Sequence, residues 1–259
     1  MRNILLYLSF LCALPAFSQS HMRVEKNDGS VVRYAVDELS QVRFEVFCQL
    51  KDSVSVCGQV GSYNYVDLGL PSGLKWATCN IGAKSATDFG DYFAWGETKT
   101  KTTFSWENYK LCQASEDKLT KYCLNSSYGK YDGKEVLEES DDAAHVNWGE
   151  TWRMPSAADF KELLEGCVWK TTNNFNNTGV AGVMGISKKN YNIIFFPAAG
   201  FYVDDKFYDE GAFYWSSNLT KGTMGLANYS SLGQILDFPR NEVLTLGRHN
   251  GTTIRPVTK

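Results

Sequence analysis

Three histidines, His21, His145 and His249, are the side chains that exchange protons most readily near neutral pH. His145 lies just after Asp141 and Asp142, a spacing in which a carboxylate can orient an imidazole as a general base. The bland reading of the same residue is a loop or capping histidine. The run Glu138-Glu139-Ser140-Asp141-Asp142 offers the hard oxygen ligands that a divalent cation takes, but not the spaced ligands and glycine of an EF-hand loop. It reads as a solvated acidic loop. Other constellations are missing from the sequence. There is no Gly-x-Ser-x-Gly elbow for a nucleophile and no Cys-x-x-Cys for redox chemistry or zinc. Gly179-Val180-Ala181-Gly182-Val183-Met184-Gly185 has the glycines of a phosphate loop without a following Lys-Ser/Thr. The expectation is therefore a chain without catalysis, resident metal or cofactor.

Aromatic side chains carry the remaining chemistry, at 14% of the chain. Trp76, Trp95, Trp152 and Trp215, which fall within the motif series set out below, read as core. Trp106, Tyr109, Tyr202, Tyr208 and Tyr229 lie among Asn, Asp and Lys in loop-like stretches. An aromatic face beside amides and carboxylates is what a sugar or peptide site requires.

The elements that would hold these residues are short. Trp152-Arg153-Met154-Pro155-Ser156 leads into a helix over about 156–166. Ser156 is placed to cap it, Asp159 suits its positive end, and Phe160, Leu163, Leu164 and Cys167 share one apolar face. Tyr65–Gly69 and Leu74–Cys79 bracket Leu70-Pro71-Ser72-Gly73 and predict a hairpin. Further strands are expected at 191–196, 211–217, 224–230, 243–247 and 252–257, with a long loop region over 92–131. Few helices, many short strands and long loops indicate the α+β class.

At the chain's start, Arg2, the apolar run Ile4–Leu14 and Ala16-Phe17-Ser18 read as a cleaved signal peptide over 1–18. Cys12 is preceded by the bulky Ser9-Phe10-Leu11, which argues against a lipid anchor. Residues 19–47 read as a small β unit of three alternating runs, the last being Val42–Val46. Residues 48–62 read as a linker and 63–259 as one domain. No further apolar run is long enough to span a bilayer. The expected location is outside the cell, secreted or on its surface. A net charge of −3 leaves no basic field for nucleic acid. Past the signal, six cysteines remain: Cys48, Cys57, Cys79, Cys112, Cys123 and Cys167. An even number in an exported chain suggests disulfides, and we expect Cys112–Cys123, Cys79–Cys167 and Cys48–Cys57, with buried free thiols as the alternative.

A series of motifs in fixed order points further. It comprises Tyr65-Val66-Asp67-Leu68-Gly69-Leu70-Pro71-Ser72-Gly73-Leu74-Lys75-Trp76-Ala77-Thr78-Cys79-Asn80, then Gly90-Asp91-Tyr92-Phe93-Ala94-Trp95-Gly96-Glu97. Asp141–Val146, the Trp152 helix start, Phe196-Pro197-Ala198-Ala199-Gly200, Tyr214-Trp215-Ser216-Ser217 and Ile254-Arg255-Pro256-Val257 follow. Residues 63–259 thereby resemble the Fibrobacter succinogenes major paralogous domain group of secreted Bacteroidetes proteins, with a C-type lectin-like fold. Formylglycine-generating enzymes share that fold but work through a late cysteine pair, and here no cysteine follows Cys167. The calcium triplets of lectins, Glu-Pro-Asn or Gln-Pro-Asp with Trp-Asn-Asp, are also missing. In retroelement variable proteins of this fold the ligand surface comes from the C-terminal segment. That resemblance nominates Asn218, Asn228, Tyr229, Arg240, Asn241, Arg248, His249 and Asn250, with Tyr202 added from the aromatic set. It implies a binding module for a glycan or surface protein, acting in adhesion. The alternatives are an assembly component of a surface fibre, or a polysaccharide-acting enzyme using Asp or Glu carboxylates such as Asp141 and Asp142.

Overall fold

The computed structural model describes residues 21–25, 30–35, 53–209, 211–220, 226–231 and 242–259, of which 21–25, 226–231 and 242–244 are described by backbone alone. The expected signal segment and the Val42–Val46 run lie outside them. The chain divides into two compact units, Met1–Gln49 and Leu50–Lys259. In the first, β1 (His21–Glu25) and β2 (Val31–Ala35) pair antiparallel, Glu25 opposite Val31, so the Asn27-Asp28-Gly29 turn signal falls between them.

The second unit is α+β, with short helices and antiparallel strand pairs. In chain order, β3 (Gly58–Val60), β4 (Tyr63–Asp67) and β5 (Lys75–Ala77) come first, then α1 (Ala143–Trp148) and α2 (Ala157–Gly166). The strands β6 (Cys167–Thr172), β7 (Gly182–Ser187), β8 (Ile193–Pro197), β9 (Phe201–Val203) and β10 (Lys206–Tyr208) follow. Last come β11 (Phe213–Leu219), β12 (Leu226–Ser231), β13 (Glu242–Gly247) and β14 (Val257–Thr258). They form a four-stranded sheet ordered β14-β5-β4-β3, three-stranded sheets β6-β7-β8 and β11-β12-β13, and the hairpin β9-β10. The chain end thus pairs with a strand near the start of the unit. Gly58–Val60 falls inside the stretch expected to be a linker. It pairs with β4 instead, Gly58 opposite Tyr65, because the Gly61-Ser62 turn folds it back.

Local signals account for α2. Ser156 Oγ accepts from Asp159 N at 3.1 Å, and Ser156 N donates to Asp159 Oδ2 at 2.7 Å, a reciprocal capping box. The Asp159 carboxylate also takes Arg153 Nη1 at 2.7 Å. Phe160, Leu163 and Cys167 are buried, while Leu164 is only partly so. They pack with Val66, Trp76, Phe196, Tyr214 and Val257 in one apolar cluster. A second cluster gathers Phe93, Trp95, Phe104, Tyr109, Tyr122, Trp152 and Trp215. All four tryptophans read as core are fully buried, at 0% exposure.

The disulfide expectation is corrected. Cys57, Cys79, Cys112, Cys123 and Cys167 are free thiols, and Cys48 lies outside the described residues. Cys167 belongs to the α2 cluster, whereas Cys79 packs on the other one, so the presumed partners serve different cores. Cys112 Sγ lies 3.2 Å from Trp106 O, and Cys123 Sγ lies 3.1 Å from Asn125 O. Each thiol is used within its own turn. What pins the loop between them is polar: Asp132 accepts from Tyr122 N and Cys123 N at 2.8 and 2.9 Å.

Candidate functional site

The acidic run does not assemble a reactive pair. Asp142 is buried and accepts four backbone contacts, from Ala144 N (2.9 Å), His145 N (3.0 Å) and Met154 N (3.1 and 2.8 Å to its two oxygens). It caps α1 and ties that helix to the start of α2. Burial pushes its carboxyl up, while the His145, Met154 and Ala144 amides pull it down. Asp141 is ion-paired with Lys121 and accepts from Tyr122 Oη at 2.8 Å. Lys121 also meets Glu138 at 2.5 Å, and Lys134 pairs with Glu138. Those two lysines draw the exposed Glu138 carboxyl down to about 2. Among the described residues, no three His, Cys, Asp or Glu side chains converge as metal ligands.

Aromatic residues from separate segments do converge. In the β9-β10 hairpin Tyr202 stands opposite Phe207 and Phe201 opposite Tyr208. Alternation therefore puts Tyr202 and Phe207 on one face and Phe201 and Tyr208 on the other. The inner pair stacks at 5.2 Å, and Phe201 packs on buried Phe213 at 5.1 Å, which anchors the hairpin. On the outer side Tyr202 and Phe207 lie 5.1 Å apart, and Tyr92 meets their edges at 4.9 and 6.2 Å. Tyr92 Oη donates to Ala199 O at 2.5 Å, so its ring is held in place. Gly200 makes this approach possible. At φ +57° a Cβ there would sit 2.2 Å from Tyr208 O and 2.8 Å from the Phe207 ring.

Buried Phe104 backs the face, its ring 5.7 Å from Tyr202. Backbone bonds between Tyr202 and Gly251 bring in the turn 247–250. Gly251 is needed because a Cβ would come within 2.6 Å of the Phe104 ring. On that turn His249 packs on Trp106, centroids 4.4 Å apart and planes tilted by 32°. Trp106 is presented by a single 3-10 turn (Trp106–Asn108). Asn108 clamps that turn by donating to Thr103 O at 2.8 Å and accepting from Ser105 N at 3.3 Å. Tyr92, Trp106, Tyr202 and His249 are half-buried, and Phe207 is 42% exposed.

The segments that carry these rings also hold the exposed carboxylates Glu107, Asp204, Asp205 and Asp209. The Ser105 side chain lowers Glu107 below the usual carboxylate range. Of the cations nearby, Lys206 is exposed, while Lys101 is held by Glu97 at 2.9 Å and by Asn108 O at 3.2 Å. Burial lowers His249 to about 4, so the imidazole is neutral at physiological pH. Arg248 Nε, His249 Nδ1 and Asn250 Oδ1 are buried without a hydrogen-bond partner among the described residues.

The nominated ligand residues scatter over this architecture. Tyr202 and His249 lie on the aromatic face. Arg248 and Asn250 do not offer themselves to solvent: Arg248 is fully buried, its Nη1 and Nη2 donating to Tyr122 O at 3.2 and 3.1 Å with the guanidinium over Trp95. Asn250 is 6% exposed. Asn218 Oδ1 accepts from Ala157 N at 2.8 Å, supporting the start of α2. Asn228 and Tyr229 lie on β12, opposite Thr245 and Leu244. Arg240 and Asn241 fall outside the described residues. Of the loop aromatics, Tyr109 is core, its Oη donating to Trp95 O at 2.7 Å, and Tyr208 is on the inner side of the hairpin. Tyr92 and Phe207 escaped the sequence reading. The alternation of 201–208 about Asp204-Asp205 was the available signal for Phe207.

No helix of the described residues is long and apolar enough to cross a membrane. Comparison with known proteins finds no matching family model, curated protein or solved structure.

Proposed function

We propose that the protein is an exported, non-catalytic binding module of the C-type lectin-like kind, holding a glycan against the face of Tyr92, Trp106, Tyr202, Phe207 and His249. The motif series over 63–259 supports the family reading, and the α+β architecture is compatible with it. The observation that carries the function is the aromatic face itself. Half-exposed rings from distant parts of the chain gather in two groups, Tyr92 with Tyr202 and Phe207 on the braced hairpin, and Trp106 with His249 on the turn next to Gly251, which bonds to Tyr202. Sugar rings offer apolar C–H faces to such platforms. The carboxylates a glycosidase would need at 141 and 142 are instead spent on amides and lysine.

Isothermal titration with a panel of soluble oligosaccharides tests this. A ligand should bind in the micromolar range. Phe207→Ala or Tyr202→Ala should weaken it about tenfold, the worth of ~1–1.5 kcal/mol for one aromatic contact. Absence of binding across neutral, cationic and acidic glycans at high micromolar concentration overturns the proposal. So does a glycan that binds both variants as well as the parent.

A further inference from the structure

Trp106 and His249 come from distant segments, yet both are tied to one buried residue, Trp95. Tyr109, whose ring meets Trp106 edge-on at 5.7 Å, donates from Oη to Trp95 O at 2.7 Å. From the other segment, Arg248 O accepts from Trp95 N at 2.8 Å, and the Arg248 guanidinium lies 5.7 Å over the Trp95 ring. The far end of that side chain is fixed as well, with Nη1 and Nη2 donating to Tyr122 O at 3.2 and 3.1 Å. Tyr122 is itself clamped. It is fully buried and adopts φ +58°, a left-handed backbone that bulky side chains rarely take. Its N donates to Asp132 Oδ2 at 2.8 Å, and its Oη donates to Asp141 at 2.8 Å and accepts from Glu138 N at 2.9 Å. Its ring meets Trp95 at 5.1 Å.

We infer that Arg248 is the positioning residue of the Trp106–His249 group, holding His249 against Trp106 from inside the core rather than contacting a ligand. With its backbone and its guanidinium both tied, little freedom is left to the next residue in the chain, which is His249. On the far side of Arg248, Gly247 admits the imidazole, since a Cβ there would come within 2.9 Å of His249 Cε1. Packing alone does not call for an arginine at this position. Burying its charge costs free energy, and among the described residues no carboxylate pairs with it. Its rigid fork, with two donors on one carbonyl, supplies a direction that an apolar side chain lacks. The use of the positioned pair rests on the glycan reading above, but the positioning can be measured with no ligand present, so either can fail alone.

The measurement is the NMR titration of the His249 ring in the intact protein, its resonance identified by its loss in His249→Phe. Burial against Trp106 lowers His249 to about 4, and the charges of Asp204, Lys101 and Glu107 also act on it. In the parent the resonance should therefore stay unshifted between about pH 5 and 8, the range in which an ordinary histidine titrates. Arg248→Met removes the fork and the charge, whereas Arg248→Lys keeps the charge and donates from one nitrogen only. In both, the imidazole should leave Trp106 and its midpoint should rise toward the ordinary 6.5, further in the Met variant. Asp142→Ala, which destabilises the fold elsewhere, should melt at a lower temperature and leave the midpoint at its parent value. If Arg248→Met does not fold, Arg248→Lys decides the matter. A folded Arg248 variant in which His249 titrates as in the parent overturns the inference. So does a shift of the same size in Asp142→Ala, or a parent whose His249 already titrates near 6.5.

Discussion

Arg248 and Arg255 are fully buried, and among the described residues neither makes an ion pair with a carboxylate. Aromatic faces and carbonyls stand in. Arg255 lies 4.7 Å over the Phe196 ring, donates from Nε to Asn80 Oδ1 at 2.8 Å and from Nη1 to Ala77 O at 3.3 Å. Lysine cannot lie flat on a ring and reach both acceptors, so Arg255→Lys should cost on the order of 2–3 kcal/mol in denaturant unfolding. His249 sets a pH dependence. Its folded value, about 4, is below its ordinary 6.5, so the unfolded chain binds more protons between those limits. Stability should therefore fall as pH drops from 6.5 to about 4 and level off below. In His249→Phe, whose ring keeps the Trp106 contact, that slope should shrink. An unchanged slope would assign it elsewhere. The thiols give a third check. Alkylation of the denatured, unreduced protein should modify Cys57, Cys79, Cys112, Cys123 and Cys167, and a crosslinked Cys79–Cys167 peptide would contradict the structure.

At the scale of elements, Asp142 joins two short helices, and its role is structural. Asp142→Ala strands amides of Ala144, His145 and Met154 and should destabilise by ~2–4 kcal/mol. Ser156→Ala should cost about 1 kcal/mol, since it removes one half of the capping box. Thermal or urea unfolding reads both. Elements with local causes were legible in the sequence. The α2 helix has its cap, its apolar face and its stop within a dozen residues, and the β4-β5 hairpin has Pro71 and Gly73 in its turn. The β9-β10 hairpin was harder to find, because strands of three residues give too little alternation to stand out from a loop. The β7 strand is not among the strands expected from the sequence. It is buried along its whole length, so the polar alternation that marks a half-exposed strand is missing.

For the whole molecule, the division at Gln49/Leu50 predicts that residues 50–259 alone unfold in one cooperative transition. Loss of that transition on truncation would show the β1-β2 hairpin to be part of one folding unit. By itself, the sequence determined what depends on neighbours along the chain: the α+β class, the capped helix, the turn-linked strands, the buried tryptophans. Tertiary structure decided which polar residues are available. Arg248, Asn250 and Asn218 look like surface binders in a loop-rich segment, yet contacts with Tyr122 and Ala157, far away in sequence, draw Arg248 and Asn218 inward, and Asn250 is buried with them. It also decided the site. Tyr92 meets Phe207, and Trp106 meets His249, because strand pairing and two close glycine approaches bring their segments together. Contacts across more than a hundred residues leave no periodic trace in the sequence, since their energy comes from packing that exists only once the chain has closed on itself.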